Sequence, residues 1–302
     1  MRRIAILALF LTACGSARAH EPCKPALVAA FDTETSPEGM VLVQGAVEGH
    51  RGAFLLDTGG MGAWLGVSTA ATLKHMPEKA PVGGELIGGT LLDHGITADD
   101  FAMGPLRLGR QWFLVAPDTM LAGDGVGGLQ PHMLGAYNVE IDFLKGKFNL
   151  FRPGSCAGHA VYWTGDAHAG VPMRVDPLGH ITVKAMLDGK AVDALIDTGS
   201  QNSAASLDMA RRVFGLDAQA PGMQDLGMTA INGTVPARKY RYPFKALTFG
   251  GIAVANPDIE IDDTGNDAAD SPLILGIGAL RQLHMFIAYD EGLLYLTPAE
   301  AH

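Results

Sequence analysis

The sequence predicts a mainly β protein made of two similar lobes related by a pseudo-two-fold axis. Three observations carry that prediction. A shift of 140 residues lays VLVQGAVEGHRGAFLLDTGG (41–60) over ITVKAMLDGKAVDALIDTGS (181–200), so that Val41 meets Ile181, Val47 meets Leu187, Gly49 meets Gly189 and Leu56 meets Ile196. The two halves also end alike, in YNVEIDFLKGKFNLF (137–151) and LHMFIAYDEGLLYLT (283–297), each an apolar run, a turn at Gly146 or Gly292 and a second apolar run. Helical periodicity is confined to 69–75, 207–214 and one short piece late in each half. The lobes then span 24–155 and 156–302, with Pro153-Gly154 and the glycine-rich stretch to Gly170 as the joint.

The chain opens MRRIAILALFLTACGSARAH. Arg2 and Arg3 precede an apolar run from Ile4 to Ala13, too short to span a bilayer and suited to an export leader within 1–19. Two processing sites compete. Leu11-Thr12-Ala13-Cys14 resembles a bacterial lipobox, which would make Cys14 a lipidated membrane anchor. Ala17-Arg18-Ala19 offers an A-x-A cleavage that would discard Cys14. Either route expects an exported protein, periplasmic or anchored as a lipoprotein in a bacterial envelope. Cys23 and Cys156 remain as an even pair, for which an oxidising compartment favours one disulfide over two free thiols.

Each repeat begins as a β-hairpin, with turns at Glu48-Gly49-His50 and Asp188-Gly189-Lys190. The returning strand ends on an acid: FLLDTGG at 54–60 and ALIDTGS at 194–200. Farther on, GVGGLQPHML (125–134) and ILGIGALRQL (274–283) each carry an apolar-Gly step, Val126-Gly127 and Leu275-Gly276, before a helix-like piece. GDGVGG (123–128) matches the spacing of a dinucleotide loop, but no βαβ alternation surrounds it, so a glycine-rich turn is expected there.

Asp-Thr-Gly occurs three times, and context separates the copies. Asp263-Thr264-Gly265 sits in IDDTGNDAADSP, a run of acids and turn formers that reads as an exposed loop. Asp57 and Asp197 instead end buried-looking strands at equivalent places in the repeat. Carboxylates there, on loops kept tight by Gly59 and Gly199, can meet across the two-fold axis. Two acids that close hold one proton between them. One can take a proton from a bound water while the other donates to a carbonyl oxygen. No metal and no cofactor is needed. Thr58 and Thr198 have hydroxyls able to bond the opposite loop.

With these two motifs, the chain resembles the retropepsin-like aspartic proteases, more narrowly bacterial single-chain proteins with a duplicated domain of that kind. The resemblance covers nearly all of 40–298. It implies retropepsin/pepsin-like acid protease lobes, an interlobe active site, a peptide or protein substrate, and activity as a monomer. It implies Asp57 and Asp197 as the catalytic pair, Thr58 and Thr198 as the interlobe grip, and Val126-Gly127 and Leu275-Gly276 as packing behind the aspartate loops. Flap candidates are Gly88-Gly89 in ELIGGTLL and Asn232-Gly233 in AINGTVP, the latter a strong hairpin signal. One departure stands out: Ser200 follows the second triplet and can donate to its carboxylate, whereas Gly60 cannot. Asp197 is accordingly expected to be the persistently ionised member.

The net charge of −10, without a Lys/Arg-rich block, argues against nucleic acid as a partner. His20, Glu21, Cys23 and His159 fit no common metal-ligand spacing. A second function class stays open: a non-catalytic peptide- or partner-binding module on the same scaffold.

Overall fold

The computed structural model describes residues 23–60, 62–85, 91–130, 136–164, 169–231, 235–265 and 271–299. The leader with Cys14 and the flap candidates Gly88, Gly89, Asn232 and Gly233 lie outside them. The fold is mainly β, with two lobes of matching strand order. Among the described residues no helix is long and apolar enough to cross a membrane.

Both repeat-opening hairpins form, Val41–Val47 with His50–Leu56 and Ile181–Leu187 with Lys190–Ile196. Their two-residue turns are the mirror-image type that matches strand twist, with positive φ at Glu48 (48°) and Gly49 (81°), and at Asp188 (46°) and Gly189 (75°). The same sequence period therefore produces the same backbone twice.

The returning strand of each hairpin then pairs in parallel with a late strand of its lobe. His50–Leu56 lies beside Gly125–Leu129, and Lys190–Ile196 beside Leu273–Leu275. On the far side of the late strands run Trp64–Gly66 and Ser203–Ser206, antiparallel. The register corrects the sequence reading. Leu56 pairs with Leu129 and Ile196 with Leu275, so the first-lobe counterpart of Leu275-Gly276 is Leu129-Gln130, not Val126-Gly127. The expected glycine-rich turn at 123–128 is likewise largely a strand. Its glycines lie flush with the neighbouring chain, where a Cβ on Gly127 would stand 2.1 Å from the carbonyl oxygen of Trp64.

The helices are short: Val67–Thr72, displaced toward the N-terminus from the expected 69–75, the run Leu207–Met209 and Ala210–Phe214, and Ile277–Leu280. Asp263 closes the strand Ile259–Asp263 and is half-buried rather than lying in an exposed loop.

The hairpins that end the two halves join in one antiparallel sheet. Asn138–Asp142 and Leu283–Ala288 pair at its centre, flanked by Lys147–Phe151 and Leu27–Thr35 on one side and by Leu293–Pro298 and Ala169–Val175 on the other. This six-stranded sheet carries three strands from each half and locks their relative position. The joint packs against it, with Ala160 and Val161 in a small core with Phe151, Phe286, Ala288 and Tyr295. A disulfide between Cys23 and Cys156, with Cα atoms 5.8 Å apart, ties the N-terminal segment to that joint.

Candidate active site

The two aspartate loops are built from strand ends. The Asp57 N–H donates to Leu129 O (2.9 Å) and the Asp197 N–H to Leu275 O (3.0 Å), which continues each parallel ladder by one residue. Immediately beyond, the chain turns: Gly59 N–H donates back to Asp57 Oδ1 (3.1 Å) and Gly199 N–H to Asp197 Oδ1 (2.8 Å). The third triplet makes the same local turn, Gly265 N–H to Asp263 Oδ1 at 3.2 Å. Asp-Thr-Gly thus encodes a turn wherever it occurs. What distinguishes Asp57 and Asp197 is that their turns face each other.

The facing loops are held by the threonines. Thr58 Oγ1 donates to Ile196 O (2.6 Å) and accepts from the Thr198 N–H (3.0 Å); Thr198 Oγ1 donates to Leu56 O (2.6 Å) and accepts from the Thr58 N–H (3.1 Å). Both side chains are fully buried, and all four groups are satisfied only by the opposite lobe. The close approach requires glycine on each loop. A Cβ on Gly59 would stand 2.3 Å from Cγ of Asp197, and one on Gly199 would stand 2.2 Å from Oδ1 of Asp57. Each loop's glycine therefore makes room for the other loop's carboxyl.

Burial pushes both carboxyls above the ordinary carboxylate range. For Asp57 burial acts first and the neighbouring Asp197 charge second, raising it to about 8. Asp197 is raised by burial too, opposed by donation from the Ser200 hydroxyl and from the Gly199 and Ser200 N–H groups. The Ser200 N–H lies 3.1 Å from Asp197 Oδ1. The positive end of His180, when charged, also favours ionised Asp197. A pair so placed carries one proton and one negative charge over a broad pH range, with the proton favoured on Asp57.

Gly60 differs from Ser200 as its chemistry requires. A Cβ there would lie 2.6 Å from Asp57 Oδ2, so the carboxyl occupies space that a side chain at 60 would need. Sequence reasoning missed Trp64, whose buried indole favours the charged form of Asp57. The triplet plus seven spacing is the one signal that could have found it, by comparison with Ala204 in the second repeat. Next to Ser200 opens a cavity of about 310 Å³, lined from both lobes by Met40, Leu55, Met120, Gln201, Ile231 and Lys239. The strands leading into both flap candidates pair as hairpins, Glu85 with Leu91 and Ile231 with Val235.

A family model described as aspartyl protease matches the chain twice, over 43–136 and 183–279, one match around each facing triplet. Among solved structures, the fold is similar to that of an aspartic proteinase from Irpex lacteus, with a TM-score of 0.53 and 14% identity, covering 89% of this chain and 97% of that one. No curated protein sequence matches the chain. At that identity the structural likeness speaks for the fold, but the family model spans well over half of the sequence, and the chain belongs to the aspartyl protease family.

Proposed function

We propose that the chain is an aspartic endopeptidase that hydrolyses peptide bonds with a water activated by Asp57 and Asp197. The observation that carries the reading is the meeting of two buried carboxyls across reciprocal threonine bonds, with glycines where a Cβ would collide with the facing carboxyl. A water between them would lose a proton to ionised Asp197 while its oxygen attacks the scissile carbonyl carbon. Asp57 would pass its proton to the carbonyl oxygen, giving a neutral tetrahedral diol and leaving the pair with the same single proton. The cavity beside Ser200 would take a substrate side chain. Both acids come from one chain, so a monomer suffices. The Cys23–Cys156 disulfide and the apolar leader support export to an oxidising envelope compartment.

The test is digestion of a peptide library from acidic to neutral pH by the parent, Asp57→Asn and Asp197→Asn. The parent should cut, and each variant should lose at least about a thousandfold in rate, because neither acid alone can both take and give a proton. Cleavage surviving in either variant would refute the shared-proton mechanism. A parent that binds peptides without cutting them would leave the binding-module reading in its place.

A further inference from the structure

The first lobe lacks the hydroxyl that the second lobe offers its aspartate, and a different side chain stands beside its loop instead. Three positions change together between the repeats. The second lobe has Ser200, Ala204 and Ile274; the register makes Gly60, Trp64 and Gly128 their first-lobe counterparts. Trp64 and Gly128 pair directly across the antiparallel ladder, as Ala204 and Ile274 do. A Cβ on Gly128 would stand 2.2 Å from Trp64 Nε1, so the indole lies over the bare α-carbon of that strand. The large and small residues have exchanged places, and the exchange carries a ring nitrogen toward the strand that ends on Asp57.

Trp64 is 3% exposed, and its Nε1 has no hydrogen-bond partner among the described residues. A buried N–H aimed at nothing would cost about 1–3 kcal/mol. The ring lies against Gly128, which pairs with Leu55 and precedes Leu129, whose carbonyl accepts the Asp57 N–H, so the unpaired indole N–H is set on the strand that holds the Asp57 loop; there the indole favours the charged form of the Asp57 carboxyl. Gly60 completes the arrangement, since Asp57 Oδ2 sits where a Cβ at 60 would be.

We propose that Trp64 is the positioning residue for Asp57, its indole N–H taking the place of the hydroxyl that Ser200 gives Asp197 and tightening onto the carboxylate as Asp57 releases its proton. This rests on the reading of Asp57 as the proton donor. The two loops then solve one problem with different chemistry: a local hydroxyl for the acid that stays ionised, a rigid ring anchored in the core for the acid that ionises only during reaction. Among the described residues, Asp197 is the titratable group set against Asp57, and His180, when charged, acts on Asp197.

Two measurements test it. In the parent with ¹⁵N-labelled tryptophan, the Trp64 indole proton, assigned by its loss in Trp64→Phe, should move downfield with the midpoint of Asp57 ionisation and stay still in Asp57→Asn. An indole resonance that ignores pH in the parent would overturn the proposal. This readout needs no peptide cleavage, so a protein that cuts nothing would sink the protease reading while leaving Trp64 decidable. In kinetics, Trp64→Phe should lower kcat about tenfold with KM within about twofold, and raise the alkaline limb of the pH profile by about one unit. An unshifted limb with unchanged kcat would refute the assignment. If Trp64→Phe fails to fold, the titration of the parent still decides.

Discussion

Asp57 shows how far a single residue's environment can be pushed by its neighbours. Its carboxyl is buried, faces a second carboxyl, and is raised to about 8 by those two causes in that order. The linkage has a definite sign. A raised acid means that the folded state holds the proton more tightly than the unfolded chain does. Its stabilising effect is complete below the ordinary carboxylate range near pH 4 and is lost as pH climbs toward 8. The parent should therefore melt at progressively lower temperature across that window. Asp57→Asn, which carries no proton to lose, should show a shallower fall and exceed the parent by on the order of several °C at pH 8. Calorimetric scans at pH 4, 6 and 8 check this, and parallel curves would mean that Asp57 is not the raised member. For catalysis the same shift predicts cleavage that reaches from mildly acidic toward neutral pH and fades above about 8.

At the scale of the element, the aspartate loops depend on the opposite lobe as much as on their own strands. Thr58→Ala would leave the Thr198 N–H and the Ile196 carbonyl buried without their partner. A cost of about 2–4 kcal/mol in chemical unfolding is expected for the two orphaned groups. Thr58→Ser keeps the hydroxyl and should recover most of it; a serine variant as damaged as alanine would shift the cause from the bond to the methyl group. Most of this element was legible in the sequence, because the hairpin turns, the apolar strands and the paired triplets all lie within one 20-residue period. The strand at Gly125–Leu129 was less so. Its glycines signal turns in general, and only the antiparallel pairing with Trp64–Gly66 shows that they are needed for close packing against Trp64. The correspondence with Leu273–Leu275 requires a gap, so the matching Leu-Gly and Leu-Gln steps slid by three residues. Trp64 itself carries no local mark, since a core tryptophan and a donor to a carboxyl look alike until the strand between them is known to be bare.

Across the whole molecule, the halves meet not only at the aspartate loops but through a sheet whose central strands are joined by a buried glutamate–histidine contact. Glu140, 1% exposed, accepts from Asn149 Nδ2 (2.6 Å) and from the Tyr162 hydroxyl (2.9 Å to Oε2), and lies 2.8 Å from Nε2 of His284 on the other half's strand. His284 stacks on Trp163 at 3.8 Å, and the Trp163 indole N–H donates to Thr297 Oγ1 (2.9 Å). None of this was readable from one chain's pattern, because Glu140 and His284 sit in apolar-looking runs 144 residues apart. A buried carboxylate is tolerated only when every oxygen is partnered. Glu140→Ala would strip a partner from His284, Tyr162 and Asn149 at once, with a cost of about 3–5 kcal/mol. Because the sheet belongs to both halves, that loss should appear as one cooperative unfolding transition at lower denaturant, with Trp64 and Trp112 in the first lobe and Trp163 at the joint reporting the same midpoint. Two separated transitions in the parent would show instead that the lobes are independent units and that the polar centre of the sheet does not bind them into one.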